Sequence, residues 1–415
     1  MRILLCAATL FLVAPTVAAA TIIRVPQDYP TVQAGIDAAA NGDTVRVSPG
    51  TYVERIDFQQ KAITVESLEG PGLTILDGGG LGPVVSIAEY TGHTPVLRGF
   101  TVRNGGLDGG ISTYGGPVLI EQNWVTGMHS CDPPIEAAFS EATIRFNRVW
   151  GNVDACSGGD AGGIGIRGAG TAQVIGNVIT RNWHSFSGGG IGLFAAGSPL
   201  IARNFISGNH AGYEGGGISL VNVSNATIVN NFIVGNDAPR GGGIAWLVPG
   251  LESGPWVLNN TIAGNRADFG LAIFADGYDS MTRLDNNILL GSGSAAVVEC
   301  APFTTESPLF AYNDVFNGGS GLRYGGDCVD HTGQNGNISA DPFRLNVAPN
   351  FRLSPGSPAI DSAGPGPADD FDGDTRPVDG DGDGTPAVDM GADEYVPLLA
   401  QHASLTRFDS ERLFV

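Results

Sequence analysis

Asn177-Val-Ile-Thr-Arg-Asn182, followed by Gly188-Gly-Gly-Ile191, is the first clear copy of a unit that this chain writes repeatedly. It returns as Asn204-Phe-Ile-Ser-Gly-Asn209 with Gly215-Gly-Gly-Ile218, and as Asn231-Phe-Ile-Val-Gly-Asn236 with Gly241-Gly-Gly-Ile244. A fourth copy, Asn260-Thr-Ile-Ala-Gly-Asn265, is followed by a degenerate Gly270-Leu-Ala-Ile273. The leading Asn recurs at positions 177, 204, 231, 260 and 287, giving spacings of 27, 27, 29 and 27 residues. A fixed period in this range is the mark of a solenoid.

The units are strands. Apolar residues come in short clusters such as Ala226-Thr-Ile-Val229 and Phe232-Ile-Val234, punctuated by Gly, Asn and Ser, and no ten-residue window places them at helical spacing. Three short strands and three turns fit into one period, and each coil stacks on the next in parallel at about 4.8 Å. Parallel crossovers are right-handed. The expected fold class is therefore all-β: a right-handed parallel β-helix of roughly ten coils.

Two Asn columns run through the repeat, one at 147, 177, 204, 231, 260, 287 and 313, the other at 152, 182, 209, 236 and 265. Stacked Asn side chains pass amide hydrogen bonds from coil to coil. Asn also tolerates the left-handed backbone of a tight corner. The Gly-Gly-Gly runs are read as corners. They lack the Lys-Ser/Thr of a phosphate loop, so nucleotide binding is excluded.

The 415 residues carry a formal charge of −21, with Lys61 the sole lysine. That balance argues against nucleic acid and anionic membrane surfaces as partners. Residues 1–20 read as a secretory signal: Arg2, an apolar run from Ile3 to Val13, then Ala18-Ala-Ala20. The run is too short to span a bilayer, and nothing later reads as a membrane span. A secreted monomer is expected. It keeps four cysteines, Cys131, Cys156, Cys300 and Cys328. An even count in an exported chain implies two disulfides. Three pairings are open. Cys131–Cys156 and Cys300–Cys328 are preferred, because each closes a loop about one coil long. No spacing suggests a zinc site.

Residues 21–82 form the entry cap and first coils. Thr31 N-caps a short helix with Val32, Ile36 and Ala39 on one side, and Asn41-Gly42 stops it. This helix is the natural lid of the open apolar end. Val25-Pro-Gln-Asp-Tyr-Pro-Thr-Val-Gln-Ala-Gly-Ile-Asp-Ala-Ala39, with Gly42-Asp-Thr-Val45 and Ser48-Pro-Gly-Thr-Tyr52, resembles the N-terminus of pectin-lyase-like right-handed β-helix proteins. With the repeats, that resemblance covers nearly all of the mature chain. It implies the fold; the group itself spans lyases, hydrolases, esterases, epimerases and adhesins, so it does not imply an activity. Repeats are assigned to residues 83–345, an acidic exit cap to 346–395 and a tail to 396–415. The cap segments Asn350-Phe-Arg-Leu-Ser-Pro-Gly-Ser-Pro-Ala-Ile-Asp361, Asp370-Phe-Asp-Gly-Asp-Thr-Arg-Pro377 and Val388-Asp-Met-Gly-Ala-Asp-Glu-Tyr395 resemble the closing segment of exported bacterial β-helix proteins.

Asp379-Gly-Asp-Gly-Asp-Gly384 places carboxylates at alternate positions, as calcium loops do. Met390 stands where an EF-hand loop would carry Glu, so a structural calcium turn of Asp379, Asp381 and Asp383 is expected instead. Asp370, Asp372 and Asp374 form a weaker second cluster. The other candidate site is the loop after the second Asn column, the least repetitive part of the unit. It reads Trp183-His-Ser-Phe-Ser187, His210-Ala-Gly-Tyr-Glu214, Asp237-Ala-Pro-Arg240 and Arg266-Ala-Asp-Phe269. Stacking puts all four on one edge, which Asp154 and Asp160 extend. Aromatics, histidines, carboxylates and arginines together suit a sugar-binding groove.

On that edge Trp183, His184, His210, Tyr213 and Arg266 are the expected polysaccharide contacts. Glu214, Asp237, Arg240 and Asp268 are the candidate catalytic groups. Glu214 and Asp268 lie two coils apart, about 9.6 Å, near the upper limit for an inverting hydrolase. A lyase would instead use Arg240 or Arg266 as base, with carboxylates holding calcium. The chain lacks the Asn-Thr-Asp, Gly-His-Gly and Arg-Ile-Lys motifs of polygalacturonases and the Asp-Phe-Ile-Phe-Gly of pectin methylesterases. The expected function is thus polysaccharide binding, with a lyase or hydrolase as the alternative. His93, His129, His331 and His402 read as surface residues, and Trp246 and Trp256 as cover for strand surface.

Overall fold

The computed structural model describes residues 20–88, 94–156, 161–168, 170–222, 225–248, 254–277, 281–301, 308–343 and 351–397. The expected signal segment and most of the tail lie outside them, as do Asp160, His93 and His402.

Each coil contributes one strand to each of three parallel sheets. In the central coil these are Leu200–Ala202 in sheet one, Phe205–Ser207 in sheet two and Ile218–Val221 in sheet three. The sheets hold 12, 11 and 11 strands, each strand paired to its equivalents in the coils before and after. Side chains alternate inward and outward along each strand. Ile164, Ile191, Ile218, Ile244 and Ile273 therefore pile in register in one file, fully buried. The expected β-helix is present.

Both Asn columns are hydrogen-bonded ladders. Asn204 is typical. Its Nδ2 donates to Val174 O at 2.8 Å and to Asn231 Oδ1 at 3.0 Å. Its Oδ1 accepts from the backbone N–H and the Nδ2 of Asn177, at 2.9 and 3.0 Å. The first ladder runs further than the repeat suggested, from Asn123 to Asn337. The ladder Asn residues do not themselves take the left-handed backbone. The residue before each does: Arg203 (φ 54°), Asn230 (φ 55°) and Asn259 (φ 49°) in the first column, Gly208 (φ 64°) and Gly235 (φ 67°) in the second. Corner and ladder are separate jobs on adjacent residues.

On the outer face of sheet one, Arg46, Glu66, Arg98, Glu121 and Arg145 alternate in register. Their ion pairs are 2.7, 3.0, 3.4 and 2.7 Å long. Parallel pairing puts equivalent positions opposite one another, so alternating sign is the arrangement that avoids like-charge repulsion.

The helix Val32–Ala38 covers the N-terminal end. Thr31 Oγ1 accepts from Ala34 N at 3.1 Å, and Glu54 accepts from the N–H groups of Val32 and Gln33. At the other terminus Lys61 Nζ donates to the carbonyls of Ile36 and Asp37. Gly35 is required by close approach: a Cβ there would lie 3.0 Å from Val25 and 3.1 Å from Val45.

At the far end, residues 327–338 follow the last strands, with Ile338 bridged to Asp314. Asn337 ends the first ladder, and Cys328 is tied to Cys300. His331, expected on the surface, stacks on Phe310 at 4.8 Å because the last coil must cover that ring. The Cys131–Cys156 disulfide also forms, so both expected pairings hold. Trp246 is buried in the core with its Nε1 donating to Gly277 O, and Trp256 lies half exposed on sheet one.

Residues 351–397 lie along the flank of sheet two. The outward file there is Val178, Phe205, Phe232, Thr261 and Ile288, largely apolar where a solvated sheet would be polar. Phe371 packs edge-on against Phe232 at 4.8 Å, and Leu353, Ala359, Ile360 and Met390 cluster on Ile288. Polar clamps complete the contact: Arg203 to Asp369 at 2.9 Å, Asn230 Nδ2 to Asp369 O at 2.8 Å, and Ala392 N to Thr261 Oγ1 at 3.0 Å.

The file ends at Asp314, fully buried beside Ile338 and Ala340. Its Oδ1 accepts from Ala340 N at 3.0 Å, while Oδ2 has no hydrogen-bond partner. Burial pushes the carboxyl up to about 7. A raised acid favours the folded state while protonated, so its contribution is full below pH 4 and disappears as pH rises through about 7. Asp314→Asn should therefore stabilise the protein at pH 8, by up to about 4 kcal/mol, and leave it nearly unchanged at pH 4. Denaturant melts at the two pH values check this; equal effects at both would contradict it.

Candidate functional site

The four variable loops do stack on one edge, at the corner between sheets two and three. His129–Ser130, Val153–Asp154, Trp183–His184 and His210–Ala211 form a small fourth sheet there. Parallel bridges continue it through Asp237 to Arg266. The outward file reads Val153, Trp183, His210, Asp237, Arg266. Trp183 and His210 stack with centroids 6.0 Å apart, and His210 Nδ1 meets Asp237 Oδ2 at 2.6 Å. Arg266 is exposed.

His184 does not belong to this surface. Alternation in a two-residue strand turns it inward once Trp183 faces out. It is 1% exposed, and its Nδ1 accepts from Phe186 N. It cannot contact a sugar. Asp154 is likewise buried, bonded to Ser185 and to Cys156 N.

A second file holds Ser187, Glu214, Arg240 and Phe269. Asp268, expected to face Glu214, is displaced from it. The loops starting at Asp237 and Arg266 are one residue shorter than the loop starting at His210, so Phe269 takes the position above Arg240. Asp268 stands exposed one residue away, with its N–H on Pro239 O at 3.0 Å. The Glu214–Asp268 pair is not formed, and Asp237 faces His210 on the other file. Of the four expected catalytic groups, the fold brings together Glu214 and Arg240.

Their third partner is Asp276, at the outer end of strand Ile273–Asp276. The equivalent residues in the preceding coils are Phe194, Val221 and Leu247. An acid breaking an apolar outward file was the signal that could have found it. Burial pushes the Glu214 carboxyl up; Arg240 opposes the shift, Asp276 adds to it, and a hydrogen bond from Ser187 opposes it. Burial raises Asp276 too, again against Arg240. Arg240 is fixed by Tyr213: its guanidinium lies 4.9 Å from the ring centroid, and Nη1 donates to the hydroxyl at 2.6 Å. Tyr213 stacks in turn on Phe186 at 5.0 Å. Ring faces are thus used within the ladder, and what the edge offers outward is ring edges, a hydroxyl, an imidazole, carboxylates and guanidinium groups. That inventory suits hydrogen bonding to many hydroxyls along an extended chain. A buried and a half-buried carboxyl, both raised by burial and both within the field of one guanidinium, also mark a functional-site candidate.

In the C-terminal segment the expected calcium trio is rearranged. Carboxylate oxygens of Asp361, Asp379 and Asp381 come together. Asp383 does not join them; its Oδ1 accepts from Thr385 N at 2.7 Å in a local turn. Asp370, Asp372 and Asp374 form the other group. No helix among the described residues is long and apolar enough to cross a membrane.

The sequence family described as "Right handed beta helix region" matches this chain at residues 86–247 and 154–288. No curated protein sequence matches it. Among solved structures, pectate lyase Pel9A is similar with a TM-score of 0.53 and 16% identity, over 91% of this chain and 96% of that one. The A-module of the mannuronan C-5 epimerase AlgE6 from Azotobacter vinelandii gives a TM-score of 0.44 and 17% identity, over 75% of this chain and 95% of that one. Parallel sheets, buried ladders and the family match agree: this chain is a right-handed parallel β-helix of the pectin-lyase-like fold.

Proposed function

We propose that this protein is an extracellular polysaccharide-binding β-helix protein whose ligand lies along the edge from Trp183 to Arg266. The observation that carries the reading is Arg240, locked on Tyr213, next to Glu214 in the same file and close enough to lower the Glu214 and Asp276 carboxyls against their burial. A guanidinium held in this way is preorganised to meet the hydroxyls or carboxylates of a sugar chain. Trp183, His210, Asp237 and Arg266 extend the contact at one residue per coil, about 4.8 Å apart. Two disulfides support an oxidising compartment. Calcium enters this reading as a structural ion of the C-terminal segment.

Affinity electrophoresis through gels of pectate, alginate and neutral glucans tests it. Retardation in at least one gel is expected. Arg240→Ala and Tyr213→Ala should each weaken it about tenfold, the effect of losing a charge-assisted hydrogen bond. Trp256→Ala on sheet one should not. Migration unchanged in every polymer would overturn the reading.

A specific observation favours catalysis as the second reading. A carboxyl raised by burial, such as Glu214, is suited to act as general acid beside a second acid, here Asp276. Release of reducing ends, or of unsaturated ends absorbing in the ultraviolet, would establish it, and Glu214→Gln should then abolish turnover while retaining binding.

A further inference from the structure

We propose that Asp370, Asp372 and Asp374 bind a divalent cation, calcium by the chemistry of the site, which pins the C-terminal segment to the flank of the solenoid. One carboxylate oxygen of each lies within 4.8 Å of the others. Asp372 supplies the independent sign of a ligand. Its side chain is 5% exposed; Oδ2 faces Arg352, and Oδ1 is buried with no hydrogen-bond partner.

A carboxylate oxygen left bare in the interior is costly. A water molecule would satisfy its hydrogen bonding but not the charge. Asp370, Asp372, Asp374 and Asp393 gather here, and Arg352 serves both Asp372 and Asp393. The other nearby guanidinium, on Arg376, is taken up by Glu394. The donors are all hard oxygens, with no nitrogen or sulfur, which selects calcium or magnesium over transition metals. Calcium accepts an irregular oxygen set, whereas magnesium demands a near-ideal octahedron. The loop is already curled: Asp370 Oδ1 collects the N–H groups of Asp372, Gly373 and Asp374 at 2.9, 2.9 and 2.8 Å.

Position gives the ion its role. Asp369, which clamps Arg203 and Asn230, and Phe371, which packs on Phe232, sit within the same loop. An ion there fastens the loop that fastens the segment. The second acidic group is different. The oxygens of Asp361 accept from the N–H groups of Gly380, Asp381 and Ala387, and Asp381 is open to solvent.

The test is calorimetric titration of the metal-stripped full chain with calcium chloride, then magnesium chloride, alongside thermal melts with and without calcium. Calcium should bind and raise Tm, as any ligand of the folded state must. Asp374→Asn and Asp372→Asn should each weaken calcium binding about tenfold or more through the lost ligand charge, while Asp381→Asn leaves it unchanged. Asp374 is only partly buried, so its variant remains informative if Asp372→Asn does not fold. Absence of calcium binding by the wild type would overturn the proposal. So would binding that survives Asp374→Asn and is lost in Asp381→Asn. Magnesium binding as tight as calcium would overturn the choice of ion.

Discussion

Asn204→Leu should destabilise the solenoid by about 3–5 kcal/mol, one of the two largest effects expected of any single change here. The side chain is fully buried and takes part in both halves of the ladder. Its loss leaves the N–H and Nδ2 of Asn177 without their acceptor, removes the side-chain donor from Val174 O and takes one of two donors from Asn231 Oδ1, which keeps the backbone N–H of residue 204. Each stranded buried group costs about 1–3 kcal/mol, partly recovered by relaxation. Leucine of similar size cannot relieve them, because the damage is unmet polarity and not lost volume. A coil of a solenoid touches only its neighbours, so exchange of amide hydrogens should accelerate first in the adjoining coils. Asn225, exposed and outside the strands, is the control; Asn225→Ala should stay within about 0.5 kcal/mol of wild type. Denaturant unfolding with equal losses for both variants would contradict a load shared along the amide ladder.

Phe232→Ala should cost a comparable amount, about 3–5 kcal/mol, through a different link. Phe232 is 2% exposed although it points away from the solenoid interior. It is buried by Phe371 and by Arg352, whose guanidinium lies 5.9 Å from the ring centroid. Removing the ring opens a cavity between sheet two and residues 351–397 and weakens the grip of both. The segment should then become susceptible to limited proteolysis while the coils remain resistant. The equivalent truncation in an exposed file, Phe194→Ala, should leave the cleavage pattern unchanged. A Phe232→Ala protein in which the coils are cut before the segment would show that the flank does not depend on this contact.

These two residues also mark what the sequence made legible. Asn204 belongs to a column spaced one period apart, and a fixed period translates directly into stacking, so the ladder and the file of Ile191, Ile218 and Ile244 could be read before any coordinates. Asn123 and Asn337 were missed as ladder members because their coils are 24 residues long and the flanking motif is degraded. Phe232 was read simply as a strand residue. The period-2 alternation that would expose it was masked by three-residue strands, too short to separate an inward from an outward apolar position by pattern alone. Hence the sequence, which reads as an acidic cap over 346–395, gives no sign that residues 351–397 pack against the flank of sheet two. The same shortness hid the inward turn of His184. At the edge, register decided the outcome: a loop shorter by one residue moved Asp268 out of the Glu214 file and left the place to Phe269. Asp276 entered from a different sheet, which no reading of the loop sequences could supply.

The central claim is the location of the ligand along the corner loops. It is tested most directly by hydrogen–deuterium exchange on the wild-type protein, with and without an oligosaccharide prepared from the polymer that retards it. The account predicts slowed exchange at residues 183–187, 210–214, 237–240 and 266–269 together, and no change on the outer face of sheet one. Protection confined to sheet one or to residues 351–397, with the four loops unaffected, would contradict it.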